Sequence, residues 1–370
     1  MSVFLGLMSG TSLDGIDGVA VQWTHDGAPA MQVRGHVHHP FEATLRGRLL
    51  TLNQTQANEL EQAAAAALQV ARAYADVADD LLARSGLQRA DVRAVGAHGQ
   101  TVRHCPHDAA GGFSVQLLNG ALLAERCGID VVCDLRSRDL AAGGQGAPLV
   151  PAFHADRFGA VGESRAVLNL GGIANVTLLH ADGRIGGFDT GPANVLLDAW
   201  MAEQRSAPYD AEGRWAATGQ VDAGLLQRML SEPYFQRRPP KSTGRDLFHR
   251  AWLDARLQRF AGADPADVQA TLAELTARAC AAEVLRHAPG LARLIVCGGG
   301  AFNSHLMARL QALLPGTQVL SSASAGLPPQ QVEATAFAWL AMQCVRGEKL
   351  ALQSVTGARG ARVLGGIYPA

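Results

Sequence analysis

The residues best suited to chemistry lie in a glycine-rich stretch near the middle of the chain, Val167–Asn194. Two short apolar runs are separated by Gly171-Gly172, a pattern typical of a strand, a tight turn and a second strand. Paired glycines let backbone N–H groups approach an anion without a Cβ in the way. Asp189 follows between two further glycines, so we expect its carboxylate to stand on a stiff, uncrowded bend. An anion-binding glycine turn followed by a fixed carboxylate would suit phosphoryl transfer to an activated nucleophile. For this stretch alone, the alternative is an ordinary β-hairpin whose Asp caps the next helix.

A second glycine-rich turn, GTSLDGID, lies near the start of the chain between two strand patterns. Its hydroxyls and N–H groups could hold phosphate oxygens, and Asp14 and Asp17 could hold Mg²⁺ through water. The alternative is a glycine-rich hairpin with solvated carboxylates. The candidate phosphate-binding residues of this turn are Gly10, Thr11, Ser12, Leu13, Asp14, Gly15, Ile16 and Asp17.

A glycine triplet separates a strand pattern from a helix pattern late in the chain. Such a triplet lets a flat ring lie on the backbone and leaves the N–H groups of the helix start available. Nucleotide binding is therefore the preferred interpretation. The candidate residues here are Gly298, Gly299, Gly300 and Asn303.

Several polar side chains could contact a substrate. His98 and Arg136 follow buried-strand patterns, and ligand groups gather at the carboxyl ends of strands in α/β sheets. Glu333 lies in the first turn of the last long helix, where it either caps the helix or reaches into a cleft. Lys241 and Arg245 belong to a rigid basic loop that either meets an anion or is a solvent-facing linker.

Helix and strand signals predict the elements that position these residues. An Ala-rich helix is expected over 54–85, ending at Gly86. Asp264-Pro265 should begin another helix, and Pro328-Pro329 should open the last one. The tail at 363–367 could add an edge strand to either domain.

Composition limits the class of protein. At 370 residues, the chain exceeds the size at which single cores stop growing, so two domains are expected. The formal net charge of -1 gives no field that would attract nucleic acid or a membrane surface. No apolar run reaches the ~18 residues of a membrane span, and the N-terminal sequence lacks the features of a signal peptide. The six scattered cysteines favour free thiols in a reducing cytoplasm.

The order of the three glycine turns resembles the phosphate-1, phosphate-2 and adenosine motifs of the sugar kinase, heat-shock chaperone and actin superfamily. The chain is more closely similar to the anhydro-N-acetylmuramic acid kinases of bacterial cell-wall recycling. The matching segments extend over nearly the whole sequence and are MSGTSLDGID, AHGQTVRH, DLRSRDLAAGGQGAPLVP, LNLGGIANVT, GFDTGPAN, PPKSTGRD, VCGGGAFN and EATAFAWLA.

The resemblance implies an α/β fold of two actin-like (ribonuclease H-like) domains, with mixed sheets flanked by helices and an interdomain ATP cleft. We expect residues 1–135 plus about 350–370 to form the first domain, which carries the first phosphate loop. Residues 136–349 would form the second, which carries the catalytic Asp and the adenosine motif. We also expect a cytoplasmic enzyme, and the sequence leaves open whether it forms a homodimer.

The implied activity is that of a phosphotransferase with an alcohol-group acceptor. ATP and water convert 1,6-anhydro-N-acetylmuramic acid to N-acetylmuramic acid 6-phosphate and ADP, in peptidoglycan recycling and amino sugar catabolism. Asp189 would be the base, with Mg²⁺ as cofactor. The turn with Gly171, Gly172 and Asn175 would support the phosphates, while His98, Arg136 and Glu333 are weaker candidates for sugar contacts.

Two rivals remain at this point. One is a plain sugar kinase, in which Asp189 deprotonates a free hydroxyl. The other is an actin- or chaperone-like ATPase whose hydrolysis gates a partner. The loops DLRSRDLAAGGQGAP and PPKSTGRD argue against the second rival, because a nucleotide-gated module needs no second polar pocket.

Overall fold

Two units make up the chain in a computed structural model that describes residues 2–24, 31–108, 111–260 and 262–370. Unit 1 comprises Met1–Phe153 and Gln331–Ala370, and unit 2 comprises His154–Gln330. This division differs from the expected boundaries at 135 and 349. Residues 136–153 and 331–349, expected in the second domain, belong to unit 1.

Each unit is built on a mixed β-sheet. Within the described residues, the strands are β1 (Ser2–Met8), β2 (Gly15–Trp23), β3 (Met31–Pro40), β4 (Val92–Ala97), β5 (Gln100–Cys105), β6 (Phe113–Leu117), β7 (Val131–Cys133), β8 (Arg165–Leu170), β9 (Ile173–Leu179), β10 (Ile185–Pro192), β11 (Arg293–Cys297), β12 (Gln318–Ser321) and β13 (Gly366–Tyr368). The order is β13-β7-β4-β1-β2-β3 in unit 1 and β10-β9-β8-β11-β12 in unit 2.

The two sheets share one topology. In unit 1, β1, β2 and β3 form an antiparallel meander, and β4 and β7 add parallel to β1. In unit 2, β8, β9 and β10 form the meander, and β11 and β12 add parallel to β8. The predicted fold class, two actin-like α/β domains with mixed sheets, is thereby confirmed.

Helices flank these sheets. They are α1 (Ala43–Leu52), α2 (Glu59–Ser85), α3 (Gly120–Cys127), α4 (Ser137–Ala141), α5 (Val150–Phe158), α6 (Asn194–Arg205), α7 (Ala223–Leu230), α8 (Arg250–Leu257), α9 (Pro265–His287), α10 (Ser304–Leu313), α11 (Val332–Arg346) and α12 (Gln353–Thr356). The Ala-rich helix α2 ends at Gly86, as predicted, where the backbone is left-handed, but it begins at Glu59 and not at residue 54. The carboxylate of Asp264 accepts a hydrogen bond from the N–H of Ala266 and so begins α9, also as predicted.

The last long helix explains why residues 331–349 belong to unit 1. Helix α11 packs on β1 and β4, and 11 of its 15 residues are buried. Gly6 and Gly96 are neighbours in these strands. A Cβ on Gly6 would meet the carbonyl oxygen of Ala334, and one on Gly96 would meet that of Phe337. Close contact between the helix backbone and the sheet is a tertiary property that sequence periodicity does not reveal.

The chain end adds an edge strand, as predicted. Strand β13 pairs antiparallel with β7 at the edge of the unit 1 sheet. Across the described ranges, no helix combines the length and apolarity needed to cross a membrane. Each of the six cysteines is a free thiol.

Candidate active site

Asp189 lies within a strand, where the sequence predicted a bend. It is opposite Asn175 on β9, and Asn175 is opposite Asn169 on β8, so three polar residues form one row across the meander. The pairing shifts between Asp189 and Gly191, which marks a β-bulge. Asp189 does not cap α6, whose start at Ala193 has no side-chain cap. The alternative of a capping aspartate is therefore wrong.

A distant loop holds Asp189 in place. The backbone N–H of Asp189 donates to the carbonyl of Lys241 at 3.2 Å. The N–H of Thr243 donates to Oδ2 of the Asp189 carboxylate at 3.0 Å. The hydroxyl of Tyr234 donates to the carbonyl of Asp189 at 2.7 Å. The segment PPKSTGRD therefore binds the predicted base and is not a solvent-facing linker.

The environment of Asp189 suits a general base. Burial raises the pKa of this carboxyl to about 6, while the Thr243 N–H and the charge of Lys241 oppose the rise. A group with a pKa near 6 is ionised at neutral pH and still basic enough to accept a proton from water.

The two basic residues of the loop have different surroundings. The Nζ of Lys241 lies 3.3 Å from Oε1 of Glu283, and both side chains are almost fully buried. Lys241 therefore points into unit 2 and not toward a ligand anion. Arg245 is exposed. Burial raises the pKa of Asp198 on α6 to about 7, and the positive charge of Arg245 opposes this rise. Sequence reasoning missed Asp198, although a lone carboxylate on an apolar helix face was a usable signal.

The glycine-rich turn Gly10–Asp17, the predicted first phosphate turn, is held together by internal hydrogen bonds. The hydroxyl of Ser12 donates to Oδ1 of Asp14 at 2.6 Å, and the N–H of Gly15 donates to the same oxygen at 3.1 Å. The N–H of Leu13 donates to the carbonyl of Gly10 at 3.2 Å. Leu13 is buried at a φ of 57°, which is unusual for a branched side chain. The turn is therefore held by an apolar anchor that the sequence did not suggest.

The two predicted metal carboxylates differ in their surroundings. Asp14 is exposed on the turn itself. Asp17 lies in β2, where its Oδ1 is 3.2 Å from Nε2 of His36 and 3.1 Å from Nδ1 of His38. One oxygen of each carboxylate is already in hydrogen bonds, so exposure distinguishes them: Asp14 is exposed and Asp17 is half-buried, which makes Asp14 the better candidate for a Mg²⁺ ligand.

His98 contacts the backbone of Ser9, the residue that leads into the turn Gly10–Asp17. Its Nε2 lies 2.8 Å from Nη2 of Arg136, and its Nδ1 lies 3.0 Å from the carbonyl of Ser9. A guanidinium only donates, so Nε2 accepts and Nδ1–H donates to Ser9. Gln100 also donates to the turn, at the carbonyl of Gly10. Both ring nitrogens of His98 are thus used by the protein, which favours a positioning role over the expected sugar contact.

Arg136 and Glu333 lie in the same cluster as His98. Burial lowers the pKa of Arg136 to about 10, and the charges of Glu333 and Asp139 oppose this. Arg136 also donates to the carbonyl of Gly146 at 2.8 Å. The structure therefore brings together the three residues for which the resemblance predicted sugar contacts, all in unit 1.

Replacing His98 with Asn should weaken the dependence of unit 1 stability on pH. Burial and the charge of Arg136 lower the pKa of His98 to about 3, so the folded protein keeps it neutral. The unfolded chain binds a proton near pH 6.5, so this contribution is complete above that pH and is lost as the pH falls. Between pH 7 and 5 the wild type should lose about 2 kcal/mol that the variant keeps. Urea unfolding at both pH values measures this, and equal losses in both proteins would contradict it.

Four glycines of the predicted nucleotide site leave room for a Cβ at ordinary contact distance. They are Gly10, Gly171, Gly172 and Gly299, where a Cβ would find its nearest neighbour 3.5 to 3.9 Å away. These positions fit a phosphate or a flat ring that lies against the chain.

Three other predicted nucleotide residues pack against the fold or cap a helix. A Cβ on Gly298, whose φ is 77°, would meet Oδ1 of Asn169, and one on Gly300 would meet Leu170. The side chain of Asn303 accepts from the N–H of Leu306 at 2.9 Å and caps α10. Of the triplet, Gly299 is therefore the residue best placed for a ligand.

The duplicated mixed sheet defines the class: a two-unit α/β protein of the actin-like fold. Component A of (R)-2-hydroxyglutaryl-CoA dehydratase from Acidaminococcus fermentans has a similar fold, with a TM-score of 0.50 and 13% identity over 91% of this chain and 96% of that one. The family model of anhydro-N-acetylmuramic acid kinase matches residues 2–370, and the chain belongs to that family.

Relatives from two bacteria match this chain over nearly their full length. The anhydro-N-acetylmuramic acid kinase of Variovorax paradoxus is 57% identical over 374 residues, which cover 100% of this chain and 99% of the relative. That of Bordetella parapertussis is 57% identical over 371 residues, with 100% and 96% covered. The family predicted from the motifs is thereby confirmed.

Proposed function

We propose that the protein is an ATP-dependent kinase that opens 1,6-anhydro-N-acetylmuramic acid with water and phosphorylates O6. The products are N-acetylmuramic acid 6-phosphate and ADP, in cytoplasmic recycling of peptidoglycan sugars. The observation that supports this most directly is Asp189, a carboxyl with a raised pKa that a second loop fixes, within a chain of this family.

The chemistry requires a base because O6 is not a free hydroxyl in the anhydro-sugar. Water attacks C1, the C1–O6 bond breaks, and O6 forms a bond to the γ-phosphorus of ATP as ADP leaves. Asp189 accepts the proton that the attacking water loses. Positive charge develops at C1 as in glycoside cleavage, and a nearby carboxylate stabilises it.

The nucleotide contacts follow the family pattern. Gly10–Asp17 would hold the β- and γ-phosphates, and Gly171–Asn175 would support the other phosphate edge. The backbone at Gly299 would lie against the adenosine. Asp14 would hold Mg²⁺, which neutralises phosphate charge when bound. His98, acting on Ser9, would keep the first turn in shape. Arg136 and Glu333 are the proposed sugar contacts.

Isotope labelling distinguishes this function from both rivals. In water enriched in ¹⁸O, the proposed reaction places the label at C1 of the sugar product and none in the transferred phosphate. A plain kinase leaves the sugar unlabelled, and a gating ATPase puts the label into inorganic phosphate. Mass spectrometry after a short reaction reads the outcome. Unlabelled product incubated in the same water for the same time corrects for slow exchange at C1, and an unlabelled sugar 6-phosphate would refute the proposal.

A further inference from the structure

A buried ion pair lies beside the base. The Nζ of Lys241 is 3.3 Å from Oε1 of Glu283 on α9, with side-chain exposures of 2% and 3%. The same Nζ lies 4.9 Å from the ring centre of Tyr234 and 5.9 Å from that of Phe188. This ammonium is therefore enclosed by two aromatic rings and a carboxylate.

Glu283 does not depend on Lys241 for charge compensation. Its Oε1 also accepts from Nη1 of Arg286 at 2.7 Å, and its Oε2 lies 3.3 Å from Nε2 of His287. Burying an ammonium is costly, and apolar residues of similar volume often replace buried ion pairs without loss of stability. Neutralising Glu283 therefore does not account for the lysine.

The other neighbour of Lys241 is Asp189. The carbonyl of Lys241 accepts from the N–H of Asp189, and two residues later the N–H of Thr243 reaches the carboxylate. Tyr234, whose ring faces the ammonium, donates its hydroxyl to the carbonyl of Asp189. Two of these contacts to Asp189, from the Lys241 carbonyl and the Thr243 N–H, are made by the loop that carries Lys241.

We propose that Lys241 is a positioning residue for Asp189. Its ammonium, paired with Glu283, fixes the loop that orients the carboxylate and supplies a positive charge that favours the ionised carboxylate. This inference rests on the proposed function, in which Asp189 accepts a proton from water.

The remaining charged groups around this cluster do not replace Lys241. Besides Asp189, Lys241 and Tyr234, the groups that act on the cluster are Glu283, Arg286, His287 and Arg237. Arg286 and His287 pair with Glu283, and Arg237 lies over the ring of Tyr234 at 5.9 Å. Among these described groups, Lys241 is the cation that lowers the pKa of Asp189.

Replacing Lys241 with Met should move the acidic limb of the pH–rate profile to higher pH. Methionine has a similar length without the charge, so Asp189 would protonate more easily. The wild-type limb should lie near pH 6, the pKa of Asp189. For an upward shift of about one pH unit, turnover should fall about five-fold at pH 6 and less than about two-fold at pH 8. Turnover of the anhydro-sugar between pH 5 and 9, with thermal unfolding of each variant, measures this.

Matched variants separate positioning from plain stability. Lys241→Arg keeps the charge and should restore the wild-type limb. Glu274→Gln removes another almost fully buried carboxylate of α9, which pairs with Arg278 and Arg309, and should lower stability without moving the limb. Lys241→Gln provides a second neutral side chain if the Met variant does not fold.

The outcomes are distinguishable. A folded neutral variant with the wild-type limb, or an equal shift in Glu274→Gln, would overturn the positioning role. Failure of both neutral variants to fold would also overturn it, because the lysine would then be purely structural. Absence of anhydro-sugar turnover in the wild-type protein would instead refute the proposed function.

Discussion

Replacing Asp189 with Asn is expected to lower turnover by about 10²- to 10⁴-fold, the range that a general base contributes. The amide keeps the size of the side chain, and its oxygen can still accept from the N–H of Thr243. It cannot take a proton from the attacking water. ATP affinity should stay within about two-fold, since the open glycines proposed for ATP binding are unchanged. Steady-state kinetics and calorimetric titration with a non-hydrolysable ATP analogue measure the two effects separately.

Two further carboxylates serve as controls for this prediction. Asp182 lies in an exposed turn of the same unit, paired with Arg184, and Asp182→Asn should leave turnover unchanged. Asp198 also has a raised pKa, about 7, but it lies on α6 and faces Arg245. Near-normal turnover in Asp189→Asn would show that the base had been assigned to the wrong residue. If only Asp198→Asn then lost turnover by about 10²- to 10⁴-fold, Asp198 would be the base.

Local signals in the sequence were sufficient to predict helix ends, whereas the role of Asp189 as the base stays a prediction. Gly86 and Gly347 end α2 and α11 because each adopts the left-handed backbone that glycine tolerates. The glycines around Asp189 predicted a bend, whereas the residue lies in strand β10 beside a β-bulge. These features depend on neighbours a few residues away, which composition and spacing reveal.

The partners of the candidate residues could not be predicted in the same way. Thr243 is 54 positions from Asp189, and Ser9 is 89 positions from His98. Which loop folds back on which strand is set by tertiary packing, and no periodicity records it. For this reason the sequence left Lys241 as either an anion contact or part of a solvent-facing linker, whereas its ammonium is buried against Glu283.

The glycine motifs show a related limit. The sequence treated Gly298, Gly299 and Gly300 as equivalent, because all three lack a Cβ. The structure separates them, since only Gly299 could carry a Cβ without overlap, while the other two are packed against Asn169 and Leu170. Whether a glycine serves a ligand or the fold depends on what faces its missing side chain.

Replacing Gly6 with Ala should destabilise unit 1 by about 3 kcal/mol or more, at or above the upper end for an overpacked core. Its Cβ would overlap the carbonyl oxygen of Ala334 and lie 2.7 Å from the backbone N of Ala338. Backbone atoms of a helix cannot rotate aside as a side chain can, so α11 must shift as a whole. Glu333, the neighbour of Ala334, would move with it, so the loss of stability should be accompanied by weaker sugar binding.

Denaturant unfolding of Gly6→Ala beside Gly47→Ala tests this packing. Gly47 lies inside α1, and a Cβ there would meet nothing within 4 Å. The control should gain about 0.5–1 kcal/mol, because alanine restricts the unfolded chain and favours the helix. Gly96→Ala, whose Cβ would meet the carbonyl of Phe337, should resemble Gly6→Ala. If Gly6→Ala and Gly47→Ala unfolded at the same denaturant concentration, α11 would not be in backbone contact with β1, and the placement of Glu333 beside Arg136 would lose its structural basis.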